Sequence, residues 1–132
     1  MRLLTLFALS WFSLASCQTD ETIRAYGAGE GVWQLMEMNG QPARGTTTLQ
    51  FTDRHQISGA APCNRYSARM DIPYPWWGTG PIAATKRACP ELAAEAEFFA
   101  ALGAAKLASA KEGKLVLSAE NGTPLLVFRP AE

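Results

Sequence analysis

The chain has 132 residues, 48% hydrophobic in type and 18% charged, and its 12 basic side chains balance 12 acidic ones. That length holds one small domain with short extensions, and a neutral balance without Lys/Arg clusters excludes the electrostatic footprint of a nucleic-acid groove. A single histidine, His55, removes most zinc-hydrolase and nucleophile–base chemistry, which needs several imidazoles or a base beside the nucleophile.

Met1-Arg2 is a short positive start, and the apolar run Leu3 to Leu14 falls short of the ~20 residues that span a bilayer but suits a secretory signal. Leu14-Ala15-Ser16-Cys17 then has the form of the bacterial lipobox: an aliphatic residue, two small residues and the cysteine that becomes the acylated N-terminus. Residues 1–16 are therefore read as a lipoprotein signal peptide and Cys17 as the lipid-attachment site, against the alternative of an ordinary signal with a chance cysteine. Gln18 rather than Asp after the cysteine favours the outer membrane, facing the periplasm, in a Gram-negative host. Each buried acyl CH₂ contributes about 0.8 kcal/mol, so two or more palmitate-type chains hold the protein at the membrane without help from its surface. Residues 17–30, rich in Thr, Asp, Glu, Ala and Gly around isolated Ile23 and Tyr26, read as a lipid-attached flexible tether, which places the domain at 31–132.

The domain begins with a strand pattern over Val32–Met38, ended by the hairpin pair Asn39-Gly40. Thr46–Phe51 alternates polar and apolar residues, and Gln56–Gly59 and Asn64–Met70 continue the alternation around a Pro62-Cys63 turn. Pro73, Pro75, Gly78, Gly80 and Pro81 then break regularity before Ile82–Thr85. Only Pro90 to Ala104 has a helical period: Leu92, Glu95, Phe99 and Leu102 recur at three or four, Ala94, Phe98 and Ala101 widen the stripe, and acidic residues favour its N-terminal end. Lys106–Lys111, Lys114–Ala119 and Leu125–Arg129, separated by Glu112-Gly113 and Asn121-Gly122-Thr123, make an antiparallel meander. The fold class is α+β, mostly β: a strongly curved antiparallel sheet closed by one helix.

With Cys17 assigned to lipid, Cys63 and Cys89 remain as an even pair in an oxidising compartment, and a disulfide is the leading reading. Closing a loop of that length stabilises by about 3 kcal/mol in the chain-entropy description. A Cys63 nucleophile with His55 as base would need a free thiol outside the cytosol and lacks a flanking motif.

These residues carry a family resemblance. Trp33-Gln34-Leu35, Asn39-Gly40-Gln41-Pro42, Leu49-Gln50-Phe51, the Gly59-x-x-x-Cys63-Asn64-x-Tyr66 segment, the Thr85-x-x-x-Cys89-Pro90 segment, Glu97-Phe98 and Leu115-Val116-Leu117 resemble, in order, the META/HslJ domain. The resemblance spans Gly31 to Arg129 and implies an incomplete barrel closed by a helix, similar to type III secretion pilot lipoproteins, with an envelope or stress-associated role and no catalytic residues. Two positions depart: Arg87 stands where the family tends to have Met, implying a charge on an apolar contact, and Ala68 where Gly is common.

Candidate binding residues come from chemistry alone. Tyr74-Pro75-Trp76-Trp77-Gly78 holds three aromatics on a stiffened backbone; Tyr74, Trp76 and Trp77 either line an apolar cleft or alternate along a strand with one tryptophan in the core. Asn64 suits turn capping more than ligand binding, and Arg65 and Arg69, around Ser67, suit a solvated strand face. Asp53, Asp71 and Glu120 have no spacing that makes them an acid/base pair. The expected protein is therefore a non-enzymatic, monomeric envelope lipoprotein without cofactor or metal. It binds an apolar small molecule or an envelope protein partner; the alternative is a structural or stress-protective lipoprotein with no discrete ligand. A Cys17→Ser variant is expected to leave the membrane fraction or accumulate unprocessed, read by fractionation and intact mass; unchanged processing and retention would refute acylation.

Overall fold

The computed structural model describes residues 14–15 and 19–132, so the Cys17 attachment site and nearly all of the signal peptide over 1–16 lie outside the described residues. The strands are β1 Trp33–Met38, β2 Gln41–Pro42, β3 Thr48–Asp53, β4 Gln56–Ala60, β5 Arg65–Arg69, β6 Ala83–Ala84, β7 Leu107–Lys111, β8 Lys114–Ser118 and β9 Pro124–Pro130. Helix α1, Leu92–Ala104, lies between β6 and β7 in the chain. All nine strands form one antiparallel sheet in the order β6-β5-β4-β3-β1-β9-β8-β7, with β2 paired to β1 beyond this path. β6 and β7 are the two ends and do not pair, so the barrel is incomplete.

Local chemistry accounts for most of this. Asn39 and Gly40 (φ 52° and 78°) and Glu112 and Gly113 (φ 54° and 72°) both adopt the left-handed pair that a two-residue hairpin turn requires. Alternation puts Leu49, Phe51, Ile57, Tyr66, Ala68, Leu115, Leu117, Leu126 and Phe128 inside. In β1 the alternation begun by Trp33 and Leu35 would bury Glu37, but a bulge against β9 between Leu35 and Glu37 resets the phase. Met38 is buried instead, and Met36 is left 44% exposed.

α1 covers the core with Ala94, Phe98, Ala101 and Leu102. Phe98 is fully buried and meets Tyr66 edge to face at 5.4 Å. Leu92, expected on the buried stripe, is 45% exposed: it begins the helix and stands clear of the sheet.

The tether reading is corrected over Thr22–Ala28. Ile23–Tyr26 form a 3₁₀ turn, and Ile23 and Ala28 are fully buried. Ala28 O accepts the Trp33 indole N–H at 2.9 Å, and Thr22 bridges Pro73. A buried indole needs an acceptor, and full burial of an Ile side chain stabilises by about 1.5–3 kcal/mol. Both draw this segment onto the domain, so the packed unit starts before residue 31.

The Pro- and Gly-rich stretch also has a structural task. Ala108 N donates to Pro75 O (2.9 Å) and Trp77 N to Lys106 O (2.8 Å), so this stretch covers the β7 edge. Unpaired sheet edges invite pairing with other chains, and prolines stop the pairing from spreading.

Cys63 and Cys89 form a disulfide, with Cα atoms 5.5 Å apart, that ties the β4–β5 connection to the approach to α1. Thiol titration of denatured, unreduced mature protein is expected to find neither cysteine reactive, and Cys89→Ala to cost on the order of 2–5 kcal/mol in a denaturant melt. Stoichiometric labelling of both would refute the bond.

Candidate functional site

The two hallmark segments meet at one buried polar cluster. Glu95, on the inner face of α1, accepts three hydrogen bonds: Oε1 from the N–H groups of Cys63 (3.1 Å) and Asn64 (2.8 Å), and Oε2 from Asn64 Nδ2 (2.7 Å). Asn64 Nδ2 also donates to Arg87 O at 2.9 Å, while its Oδ1 accepts from Thr85 Oγ1 (3.0 Å) and from Arg87 N. Thr85 Oγ1 in turn accepts from Arg65 N. The Asn64 amide thus uses both donors and both acceptor positions on its own protein, which makes it a cap for the loop before β5. Arg87 contributes backbone only; its side chain is exposed, so the implied charge on an apolar contact does not arise.

Gly59 and Tyr66 face each other across β4 and β5. A Cβ at Gly59 would overlap Thr48 O, the atom to which the Tyr66 hydroxyl donates at 2.7 Å. Burial pushes the Tyr66 phenol far above its ordinary pKa, so it remains a donor. The hallmark glycine, asparagine and tyrosine therefore act in packing and hydrogen bonding.

The groups considered for catalysis are scattered. His55 sits exposed in the β3–β4 turn, where its N–H donates to Asp53 Oδ1. Asp71 pairs with Arg69 at 2.9 Å, and Glu120 is exposed in the β8–β9 connection. Cys63 is in the disulfide. Among the described residues no group of three or more His, Cys, Asp or Glu is placed to hold a metal. Arg65 and Arg69 lie exposed on one face of β5.

The aromatic segment divides. Trp77 is 2% exposed, and its indole N–H donates to Leu102 O at the end of α1 (3.3 Å). Trp76 is 55% exposed, in an isolated bridge to Leu107. Tyr74 is half-buried and stacks on Tyr26 with ring centres 4.6 Å apart and planes 12° from parallel. Of the two arrangements expected for Tyr74, Trp76 and Trp77, the one with a single tryptophan in the core is found: Tyr74 and Pro75 form a turn closed by Trp76 N donating to Pro73 O (2.9 Å), and only Trp77 enters the core. Tyr26, which the sequence placed in the tether, completes the outer group instead.

An apolar-lined recess lies elsewhere. Glu37, Asn39, Gly40, Thr123, Pro124, Leu125 and Val127 line a groove of about 400 Å³ on the outside of the sheet, between the β1–β2 turn and the start of β9. Its sequence signal is that Pro124-Leu125-Leu126-Val127-Phe128 is apolar on both faces, more than a half-buried strand needs.

The sequence matches the META domain family over residues 27–132. No protein with a curated description matches the chain in sequence. A crystal structure of a DUF4847 family protein from Bacteroides vulgatus is similar with a TM-score of 0.67 at 13% identity, over 83% of this chain and 97% of that one. An NMR structure of a protein from Burkholderia xenovorans is similar with a TM-score of 0.60 at 21% identity, over 79% of this chain and 83% of that one. At these identities the likeness is one of fold.

Glu95→Ala would leave the buried N–H of Asn64, the half-buried N–H of Cys63 and one amide donor of Asn64 without their acceptor; a buried donor left unpaired costs about 1–3 kcal/mol. The expected loss in chemical unfolding is roughly 3 kcal/mol or more for Glu95→Ala and clearly less for Glu95→Gln, whose amide oxygen still accepts. Equal losses for the two variants would refute the acceptor role.

Proposed function

The chain belongs to the META domain family, and from that premise we propose that it is a non-enzymatic binding module of the bacterial envelope, held at the membrane by acylated Cys17. Its binding site in this reading is the outer groove at Leu125 and Val127, and its ligand an apolar small molecule such as a fatty-acyl chain. One observation carries this: the side of the sheet that could enclose a ligand is filled by Phe98, Phe128, Leu102, Leu115, Leu117 and Leu126, all fully buried, while the groove offers an apolar recess on the outside. Small-molecule sites usually measure about 300–1,000 Å³ and combine apolar walls with a few polar groups. The groove has that size, with Glu37, Asn39 and Thr123 at its margin. The envelope or stress-associated role that the resemblance implies fits a module that captures apolar compounds at the membrane.

In this reading Glu37, Asn39 and Thr123 orient the ligand and carry out no chemistry on it. The filled interior also favours a second one, a structural or stress-protective lipoprotein with no discrete ligand. Titration of the purified mature protein with a fluorescent fatty-acid probe separates the two. Saturable binding that weakens about tenfold in Val127→Asp and Leu125→Asp, a change of ~1.4 kcal/mol, supports the groove. Probe binding that is absent, or unaltered in both variants while their unfolding midpoints hold, refutes it and leaves the structural reading.

A further inference from the structure

Trp76 and Tyr26 are exposed aromatics that neither the core nor the proposed groove uses, and Tyr74, half-buried against the core, stacks on Tyr26. Trp76 is 55% and Tyr26 51% exposed, and the Tyr26–Tyr74 stack holds both phenol rings in place. The chain reaches the domain at this same spot. Tyr74 N donates to Glu21 O at 2.7 Å, and Thr22 bridges Pro73. Asp20 accepts from the N–H and hydroxyl of Thr22 and from Arg24 (3.1 Å). Burial raises the Asp20 pKa, but these hydrogen bonds and the Arg24 charge outweigh it and hold the carboxyl below its usual value.

We propose that this aromatic face docks on the lipid bilayer, seating Trp76 and Tyr26 at the headgroup level beside the acylated N-terminus. The inference rests on the lipoprotein reading, because the anchor decides which surface meets the membrane. Cys17 precedes Thr22 by five positions, so even a fully extended chain places it within roughly 18 Å of the Thr22–Pro73 bridge. The anchored end of the domain is thus the end that carries the aromatics, whatever path the intervening residues take.

The chemistry of the face suits a bilayer interface. Tryptophan and tyrosine have an apolar body and a polar tip, and they concentrate where hydrocarbon meets headgroups. The Asp20 charge is balanced by Arg24, and Glu21 and Lys106, whose carbonyls anchor Tyr74 and Trp77, contribute opposite charges at the margin. With no net charge, the face meets little repulsion from an anionic leaflet. Two acyl chains supply the retention, and the aromatic contact sets the orientation, turning the domain from a body swinging on a tether into one held at a fixed attitude.

The test uses full-length protein acylated in cells, purified from the membrane fraction and reconstituted in phosphatidylethanolamine/phosphatidylglycerol vesicles with brominated acyl chains, which quench nearby tryptophan emission. After signal removal the tryptophans are Trp33, Trp76 and Trp77, of which only Trp76 is exposed. Quenching of the wild-type emission is expected, with most of it lost in Trp76→Ala while the unfolding midpoint stays unchanged. Unquenched wild-type emission, as for a face reserved for a protein partner, or equal quenching in Trp76→Ala, would overturn the docking. The intact mass reports the acyl groups on Cys17 independently. Acylation without quenching overturns the docking alone, whereas an unacylated Cys17 overturns the anchoring reading and this inference with it.

Discussion

The seam between β6 and β7 governs the architecture. The nine strands curve far enough to enclose a core but leave these two edge strands unpaired, and an open edge exposes both apolar side chains and backbone hydrogen-bonding groups. Three pieces outside the sheet deal with it. α1 brings Phe98, Ala101 and Leu102 to the core; the stretch around Pro75 pairs with β7; and the turn at Ile23–Tyr26 packs beside β7 with Ile23 fully buried. Loss of any one would leave either wet hydrocarbon or unpaired amides.

The hallmark motif residues are best understood as the fastening of that closure. The disulfide sets the approach to α1 against the β4–β5 connection, and one helix turn later Glu95 reaches the amides of the same connection. A buried carboxylate normally needs a cation; here the donors are two backbone amides and one side-chain amide, and charge-assisted bonds of this type are about twice as strong as neutral ones. Asn64 carries the fastening on to Thr85 and Arg87, just after β6, and Gly59 leaves room for Tyr66 to reach Thr48. A motif of Gly, Cys, Asn and Tyr superficially suggestive of chemistry is instead occupied with holding a helix on a sheet.

Filling the interior leaves only the outer surface for any recognition. Two outer surfaces differ in character: a groove bounded by turns and walled by Leu125 and Val127, and a flat aromatic group where the chain enters the domain. They sit on different elements, β1/β9 and the segments before β1 and around residue 75.

Much of the fold was legible in the sequence because it depends on local physics. Period-two alternation, the Asn39-Gly40 and Glu112-Gly113 turns, the single helical period and the cysteine pair describe nearest-neighbour geometry, and each lies where expected, within a residue or two at its ends. Glu95 was legible in part: an acidic residue on an apolar stripe signals a buried carboxylate, although it was read as favouring the helix dipole. The partners of Glu95, the phase shift at Met36, the docking of Ile23 and Ala28, and the choice of Trp77 rather than Trp76 for the core were decided by tertiary structure. Most depend on a group distant in sequence: two loop amides for Glu95, β9 for Met36, β7 for the turn at Ile23 and the end of α1 for Trp77, whereas Ala28 meets the nearby Trp33 indole. Sequence periodicity specifies which residues share a face, but only the closed sheet determines which face meets a partner able to satisfy it.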